Sequence, residues 1–510
     1  MILNALDSLI EGIFFGGKTM IENIRKNMVL ADAWCISNNG FDLYSEETER
    51  LTKVVPSERQ LGFMEMKYYN FIHFGMNTFY DREWGDGREK LEKFNPEHLD
   101  TDQWCEVLKK TGSKGVIITA KHHDGFCLFD TKYTEHNVMN TPFGKDIVKM
   151  LSESCKKYGL KFGVYLSPWD RHESTYGTEA YNDFFVNQLT ELSQNYGEIF
   201  TFWFDGACGE GPNGKKQIYD WERYYSTIRK YHPDAVISIC GPDVRWIGNE
   251  GGKVRECEWS VIPSDKDSNT LVMENSQTDA SQLKEMTEKL NDTDSDLGSR
   301  GVLKNYSNLV FKPAEADISI TLGWFYHDSF YYLFKKKRTA KYLSEVFFNT
   351  VGGNASMLLN VPPDTDGLIS EREIETLEAF TKLIKAPFRN PVEDCRFSMI
   401  NLDGGERQLS DSYCDFADDE TSVKIKIPGD KEIATIYMEE DLRYSQRVEE
   451  FKVFVKYKDE MCYREIYSGT VIGSGKIIRL SHSVEAEEIV ITPTQSRKNP
   501  ILKKVLLFAR

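Results

Sequence analysis

Positive charge is in short supply: 63 lysines and arginines face 80 aspartates and glutamates, a formal charge of -17 over 510 residues. Neutralising phosphates takes clustered Lys and Arg, so this balance argues against a nucleic-acid partner and leaves a neutral substrate open. Paired cysteines are also missing. The ten cysteines, at 35, 105, 127, 155, 208, 240, 257, 395, 414 and 462, include no CxxC and suit neither a disulfide scaffold nor a zinc cluster. No apolar run approaches the roughly 20 residues of a membrane helix. At the amino terminus Asp7 and Glu11 interrupt the apolar portion and Arg25 and Lys26 follow it, the reverse of a signal peptide. The expectation is a soluble, cytoplasmic protein with no membrane partner.

What is present is a rhythm. From residue 68, β-rich runs alternate with amphipathic ones: NFIHFG, then 101–110, GVIITA, 145–158, LKFGVYL, 178–196, IFTFWFD, 218–231 and AVISIC (235–240). ADISI (316–320), a helix over 338–347, ASMLLNV (355–361) and a helix from Ser370 to Lys385 continue it. Such alternation predicts βα units and a parallel sheet, here a (β/α)8 TIM barrel over residues 51–385. Residues 264–300 are polar and predict a long excursion on one rim. APFRNPVE (386–393) marks a boundary, after which the period becomes two and an antiparallel β-sandwich is predicted over 394–510. Residues 1–50 form an amino-terminal extension without a motif.

Chemistry-bearing residues gather at the carboxyl ends of predicted strands, where barrel enzymes work. In IFTFWFDG, alternation sets Phe200, Phe202 and Phe204 toward the helices and Thr201, Trp203 and Asp205 inward, with Asp205 at the rim. His73, Glu83 and Trp84 follow the first strand; Lys121, His122, His123 and Asp124 the second; Tyr165 and Trp169 the third. The histidines raise the possibility of zinc, but there is no HxH or HExxH, so no metal and no cofactor is expected. Imidazoles, indoles and carboxylates together suit a sugar, whose hydroxyls need donors and acceptors and whose apolar face stacks on rings. Cleavage with retention needs two carboxyls about 5 Å apart, one ionised and one protonated. Asp205 is one. DVRWIGNEGGKVRECEWS offers Glu250, Glu256 and Glu258 for the other, with Glu250 favoured and Glu315 in reserve.

FIHFGMNTFYDREWGDG (71–87), KHHDGF (121–126), FWFDG (202–206), DVRWIGNEGG with RECEW (243–259), DLGSR (296–300) and GWFYH (323–327) together resemble the α-L-fucosidases of glycoside hydrolase family 29. The GNEGG and RECEW segments look like the subgroup acting on α-1,3- and α-1,4-linked fucose in Lewis-type glycans. The resemblance implies that Asp205 is the nucleophile and Glu250 the acid/base, and that the partner is a fucosylated oligosaccharide. It implies that His73, Glu83, Trp84, His122, His123, Tyr165 and Trp203 hold the fucose, with Trp259 and Trp324 walling the pocket. Relatives commonly read SIRPGWFYH where this chain has Thr321 and Leu322, so a cation and a rigid turn are missing. Two alternatives stay open: a fucose-binding protein with impaired catalysis, and a fucosidase of broad specificity that includes α-1,2 linkages.

Overall fold

The computed structural model describes residues 45–266, 268–276, 295–328, 338–458 and 460–510. Most of the amino-terminal extension and residues 277–294 of the predicted excursion lie outside them. The described chain divides into two compact units, one of residues 54–386, the other joining residues 45–53 to 387–510.

The first unit is a parallel barrel. Its strands are β1 (Tyr68–Ile72), β2 (Gly115–Lys121), β3 (Lys161–Leu166), β4 (Thr201–Phe204), β5 (Val236–Ile239) and β6 (Arg245–Trp246). A detached antiparallel pair, β7 (Val261–Pro263) with β8 (Leu309–Phe311), precedes β9 (Ala314–Ser319) and β10 (Ala355–Asn360). The eight barrel strands run in the order β5-β4-β3-β2-β1-β10-β9-β6, and a bridge between Ser238 and Val244 brings the ends together. Seven of these strands match predicted runs. The eighth, β6, is two residues long and lies in the segment that the sequence presented as a loop.

Helices α1 (Thr101–Thr111), α2 (Ile147–Tyr158), α3 (Glu179–Asn195), α4 (Trp221–Tyr231), α5 (Ala340–Val351) and α6 (Glu371–Lys385) cover the outside. Their ends are chemically marked: Asp100, Asp146, Asp220, Thr339 and Ser370 cap amino termini with side-chain oxygens, and left-handed Gly112 and Gly159 end α1 and α2. Because helices cover one face of each strand and the barrel interior the other, all seven residues of β2 are buried.

In β4, Phe202 meets His232 after α4, and Phe204 meets Phe185 of α3 and Tyr224 of α4, while Trp203 stacks inside on Tyr165 at 5.3 Å. Phe200 departs from the predicted alternation. It precedes the first strand residue, Thr201, and its ring turns inward against Tyr69, into space left by Gly115 and Gly163.

The second unit holds β11 (Arg396–Asn401), β12 (Glu406–Gln408), β13 (Cys414–Asp415), β14 (Glu420–Lys426), β15 (Glu432–Glu440), β16 (Val448–Tyr457), β17 (Arg464–Thr470), β18 (Lys476–Ser496) and β19 (Ile501–Ala509), all antiparallel. The two layers are one curled sheet. Strand β18 is 21 residues long; it pairs with β15 as far as Glu485, then with β14 and β16 from Ala486 onward. Val453, Val455, Ile489 and Ile491 from one layer and Ile436, Met438, Val505 and Leu507 from the other share a core. Phe454, on the opposite face of β16, is also buried, with Ile400, Tyr463 and Val490. Residues 51–53, assigned to the barrel from sequence, belong to this unit: the helix Glu46–Thr52 buries Leu51, whose carbonyl accepts from Ser445.

Candidate active site

One pocket opens at the carboxyl ends of the barrel strands. Phe71, His73, Trp84, His122, His123, Tyr165, Trp203, Asp205, Trp246, Glu250, Asp317 and Trp324 line it, with Gly206, Ala207, Ile239 and Ser276. A larger cavity lies at the opposite end, by Phe63, Lys161, Glu198 and Tyr231, and contains none of these residues.

Asp205 stands just past β4 with donors around it. Tyr165 donates its hydroxyl to Oδ2 at 3.0 Å, and the Ala207 N–H donates to Oδ1 at 2.7 Å. These two donors hold the carboxyl of Asp205 in one orientation at the strand end. His123 Nε2 lies 3.8 Å from Oδ2.

Glu250 has the contrary environment. Burial pushes its carboxyl up to about 7, and the charges of Asp205 and Glu83 add to the effect, against a hydrogen bond from the Trp324 side chain and the charge of Arg338. A carboxyl that keeps its proton near neutrality is suited to deliver one. Its loop is stapled to β9. Ile247 N–H donates to Glu315 O and Gly252 N–H to Asp317 O, while Asn249 Oδ1 accepts from the N–H groups of Gly251 and Lys253. Gly252 is left-handed, and a Cβ there would stand 2.5 Å from Val346.

The hydrogen-bond partners fix the histidine tautomers. Asn360 Nδ2 donates to Ser319 and to the Trp324 carbonyl, so its oxygen faces His73, and His73 Nδ1 carries the hydrogen in their 2.9 Å bond. The Ser167 hydroxyl donates to the Trp169 carbonyl, so it accepts from His123 Nδ1 at 2.7 Å. Asn77 Nδ2 faces His122 Nδ1 at 3.3 Å, which makes that nitrogen the acceptor and Nε2 the donor. Burial holds all three imidazoles neutral, His73 down to about 3, His123 to about 4 and His122 well below its usual range. They therefore present two acceptors and one donor, a set that matches hydroxyl groups.

Among the residues nominated from sequence, the structure brings His73, Trp84, His122, His123, Tyr165, Trp203, Asp205, Glu250 and Trp324 to the pocket. It places Glu83 and Trp259 elsewhere. Glu83 Oε2 accepts from Trp324 N–H at 2.7 Å, and Oε1 meets Phe325 N–H and His327 Nε2. Its carboxylate thus anchors the GWFYH loop, and a Cβ on Gly323, at φ +104°, would stand 2.3 Å from Oε1. Trp259 is buried against Gly298.

Lys121 pairs with Asp170 behind the pocket, Glu258 is buried between Arg245 and Arg255, and Glu256 is exposed. Glu315 lies under the pocket, with Oε1 accepting from Trp203 Nε1 at 2.6 Å and Oε2 from the Tyr69 hydroxyl. Among the described residues no group of three or more His, Cys, Asp or Glu is arranged to hold a metal ion, and no helix is long and apolar enough to cross a membrane.

Sequence reasoning missed Trp246 and Asp317, joined by a 2.9 Å bond from Trp246 Nε1 to Asp317 Oδ1. The signal for Asp317 was available: in Ala314–Ser319, Glu315, Asp317 and Ser319 alternate with apolar residues, a strand with a polar inward face.

A family model described as Alpha-L-fucosidase matches residues 41–386. Alpha-L-fucosidase 1 of Arabidopsis thaliana is 34% identical over 472 residues, 89% of this chain and 87% of that protein. A crystal structure of a Bacteroides ovatus protein is 38% identical, covers 91% of this chain and 76% of its own, and superposes with a TM-score of 0.77. A Ruminococcus gnavus GH29 fucosidase in complex with fucose is 28% identical, with 89% and 95% coverage and a TM-score of 0.73. With the carboxyl pair of Asp205 and Glu250 at the mouth of a barrel of this sequence, the chain belongs to the α-L-fucosidases of glycoside hydrolase family 29.

Proposed function

We propose that this α-L-fucosidase is a retaining exo-enzyme that removes α-1,3- and α-1,4-linked L-fucose from branched, Lewis-type glycans. The observation that carries the mechanism is the contrast at the pocket: Asp205 surrounded by donors, and Glu250 beside it with its carboxyl raised to about 7. Asp205 attacks the anomeric carbon as Glu250 passes its proton to the departing oxygen, leaving a glycosyl ester. Glu250, now ionised, takes a proton from water; the water oxygen bonds the anomeric carbon and Asp205 is released. His73, His122 and His123 orient the sugar hydroxyls, while Trp84, Trp203 and Trp324 supply ring surface. The linkage preference is supported by the GNEGG and RECEW segments, whose first glutamate is Glu250.

The test is fucose release from Lewis a and Lewis x trisaccharides and from 2′-fucosyllactose, with NMR of the anomer first formed. Release from the Lewis compounds with the α-anomer appearing first is the expected result. Release chiefly from 2′-fucosyllactose would overturn the linkage reading, and a β-anomer would overturn retention. Binding of fucose with no release from any substrate would mark a binding protein.

A further inference from the structure

β9 carries a carboxyl that the mechanism above does not use. Asp317 is 3% exposed and lines the pocket beside Glu250. Its Oδ1 is occupied by the Trp246 indole N–H at 2.9 Å. Apart from Trp246, the donor this carboxyl meets among the described residues is its own backbone N–H, and no other side chain is hydrogen-bonded to it. Asp317 also lies two residues inside the end of its strand, whereas Asp205 lies just beyond the end of β4. A group at that depth meets the sugar unit that enters first, which for an exo-enzyme is the terminal one.

We infer that Asp317 is a further substrate-binding residue, a neutral carboxylic acid whose Oδ2–H donates to a hydroxyl of the fucosyl unit. The inference rests on the pocket assigned to Asp205 and Glu250. Three surroundings keep the proton in place. Burial dominates, the charge of Glu250 comes next whenever that group is ionised, and Glu315 adds to it; the Trp246 N–H and the backbone N–H of Asp317 oppose them, and Arg338 is the cation felt from the segment before α5. An isolated carboxylate here would be costly, so the group neutralises and gains a donor. Trp246 fixes which oxygen accepts, leaving the other to donate, as an amide would.

This yields a sharp contrast between variants. Asp317→Asn keeps one acceptor and supplies an N–H in place of the O–H; Asp317→Leu keeps the branched shape, is bulkier, and loses both. Wild type and both variants would be compared on an aryl α-L-fucoside and on a Lewis trisaccharide, with free fucose as inhibitor and thermal melting as the check on folding. The expected result is a rise of about tenfold or more in KM and in the fucose inhibition constant for the leucine variant on both substrates, the loss of about one good hydrogen bond. The asparagine variant stays within about threefold, with an unchanged alkaline limb.

Should the leucine variant fail to fold, Asp317→Ser, shorter and unable to overpack, is expected to show the same loss. Unchanged fucose affinity in the folded leucine or serine variant would overturn the inference, as would an asparagine variant whose alkaline limb moves down, the mark of a charged Asp317 acting on Glu250. Absence of fucose release by the wild type would instead count against the enzymatic reading of the pocket.

Discussion

Two glutamates of this barrel sit at different depths, Glu250 in the pocket wall and Glu315 outside its lining. Burial drives the carboxyls of both Glu250 and Glu315 up to about 7. Glu315 is sealed: it is 1% exposed and spends both oxygens on Tyr69 and Trp203. Glu250 lines the pocket and shares it with Asp205. A raised pKa therefore marks burial in both places and fits the proposed proton delivery in only one, because delivery also needs access to the reacting atoms. Glu315 instead holds the indole of Trp203, and so sets the ring against which the sugar would rest.

Breaking the pair at its reactive side should have the largest effect. Asp205→Asn is expected to lower kcat by about four orders of magnitude without lowering the melting temperature, since a nucleophile's loss removes the covalent route. Glu250→Ala should slow Lewis trisaccharide cleavage by about 10²- to 10⁴-fold, the usual worth of a positioned acid. An aryl fucoside with a good leaving group should lose far less, and azide should restore turnover by replacing water at the glycosyl ester. Equal losses on both substrates would move the acid elsewhere.

The pH profile sharpens the contrast. As the proposed acid, Glu250 has to be protonated, so kcat/KM should fall as pH rises through about 7. In Glu315→Gln that alkaline limb should stay where it is, and kcat should stay within about tenfold, while stability drops by about 1 to 3 kcal/mol because an amide offers one acceptor to two buried donors. A limb that vanished in Glu315→Gln would reverse the roles of the two glutamates. The smallest effect expected is that of Gly323→Ala. Its Cβ would press on Glu83, shift the Trp324 loop and raise KM several-fold, measurable on either substrate.

Much of this arrangement could be read from the chain because it rests on period and position. Strands such as GVIITAK announce themselves as unbroken apolar runs, and the polar residues closing β1 to β4 converge because strand ends converge in a closed barrel. What escaped the sequence depends on contacts between distant segments. β6 is two residues long and exists as a strand only through pairing with Ala314 and Glu315 of β9. The resemblance makes Glu83 a fucose ligand; only the arrival of residues 324–327 shows which groups its oxygens meet in the fold. Phe200 could not be oriented from alternation, because the strand begins one residue later.

The second unit is built from two pieces of chain. Leu51 and Ser445 meet across 394 positions, and Lys498 reaches Glu49. During synthesis at about 5 to 20 residues per second, the helix Glu46–Thr52 is made first and waits roughly 20 to 80 s for its partner strands to emerge. In that interval the whole barrel is translated, with Leu51 still uncovered. The amino-terminal piece is thus the first part of this unit to be made and among the last to find its place, and a ribosome that stops after residue 386 releases a barrel preceded by a charged helix whose one leucine, Leu51, has nothing to cover it.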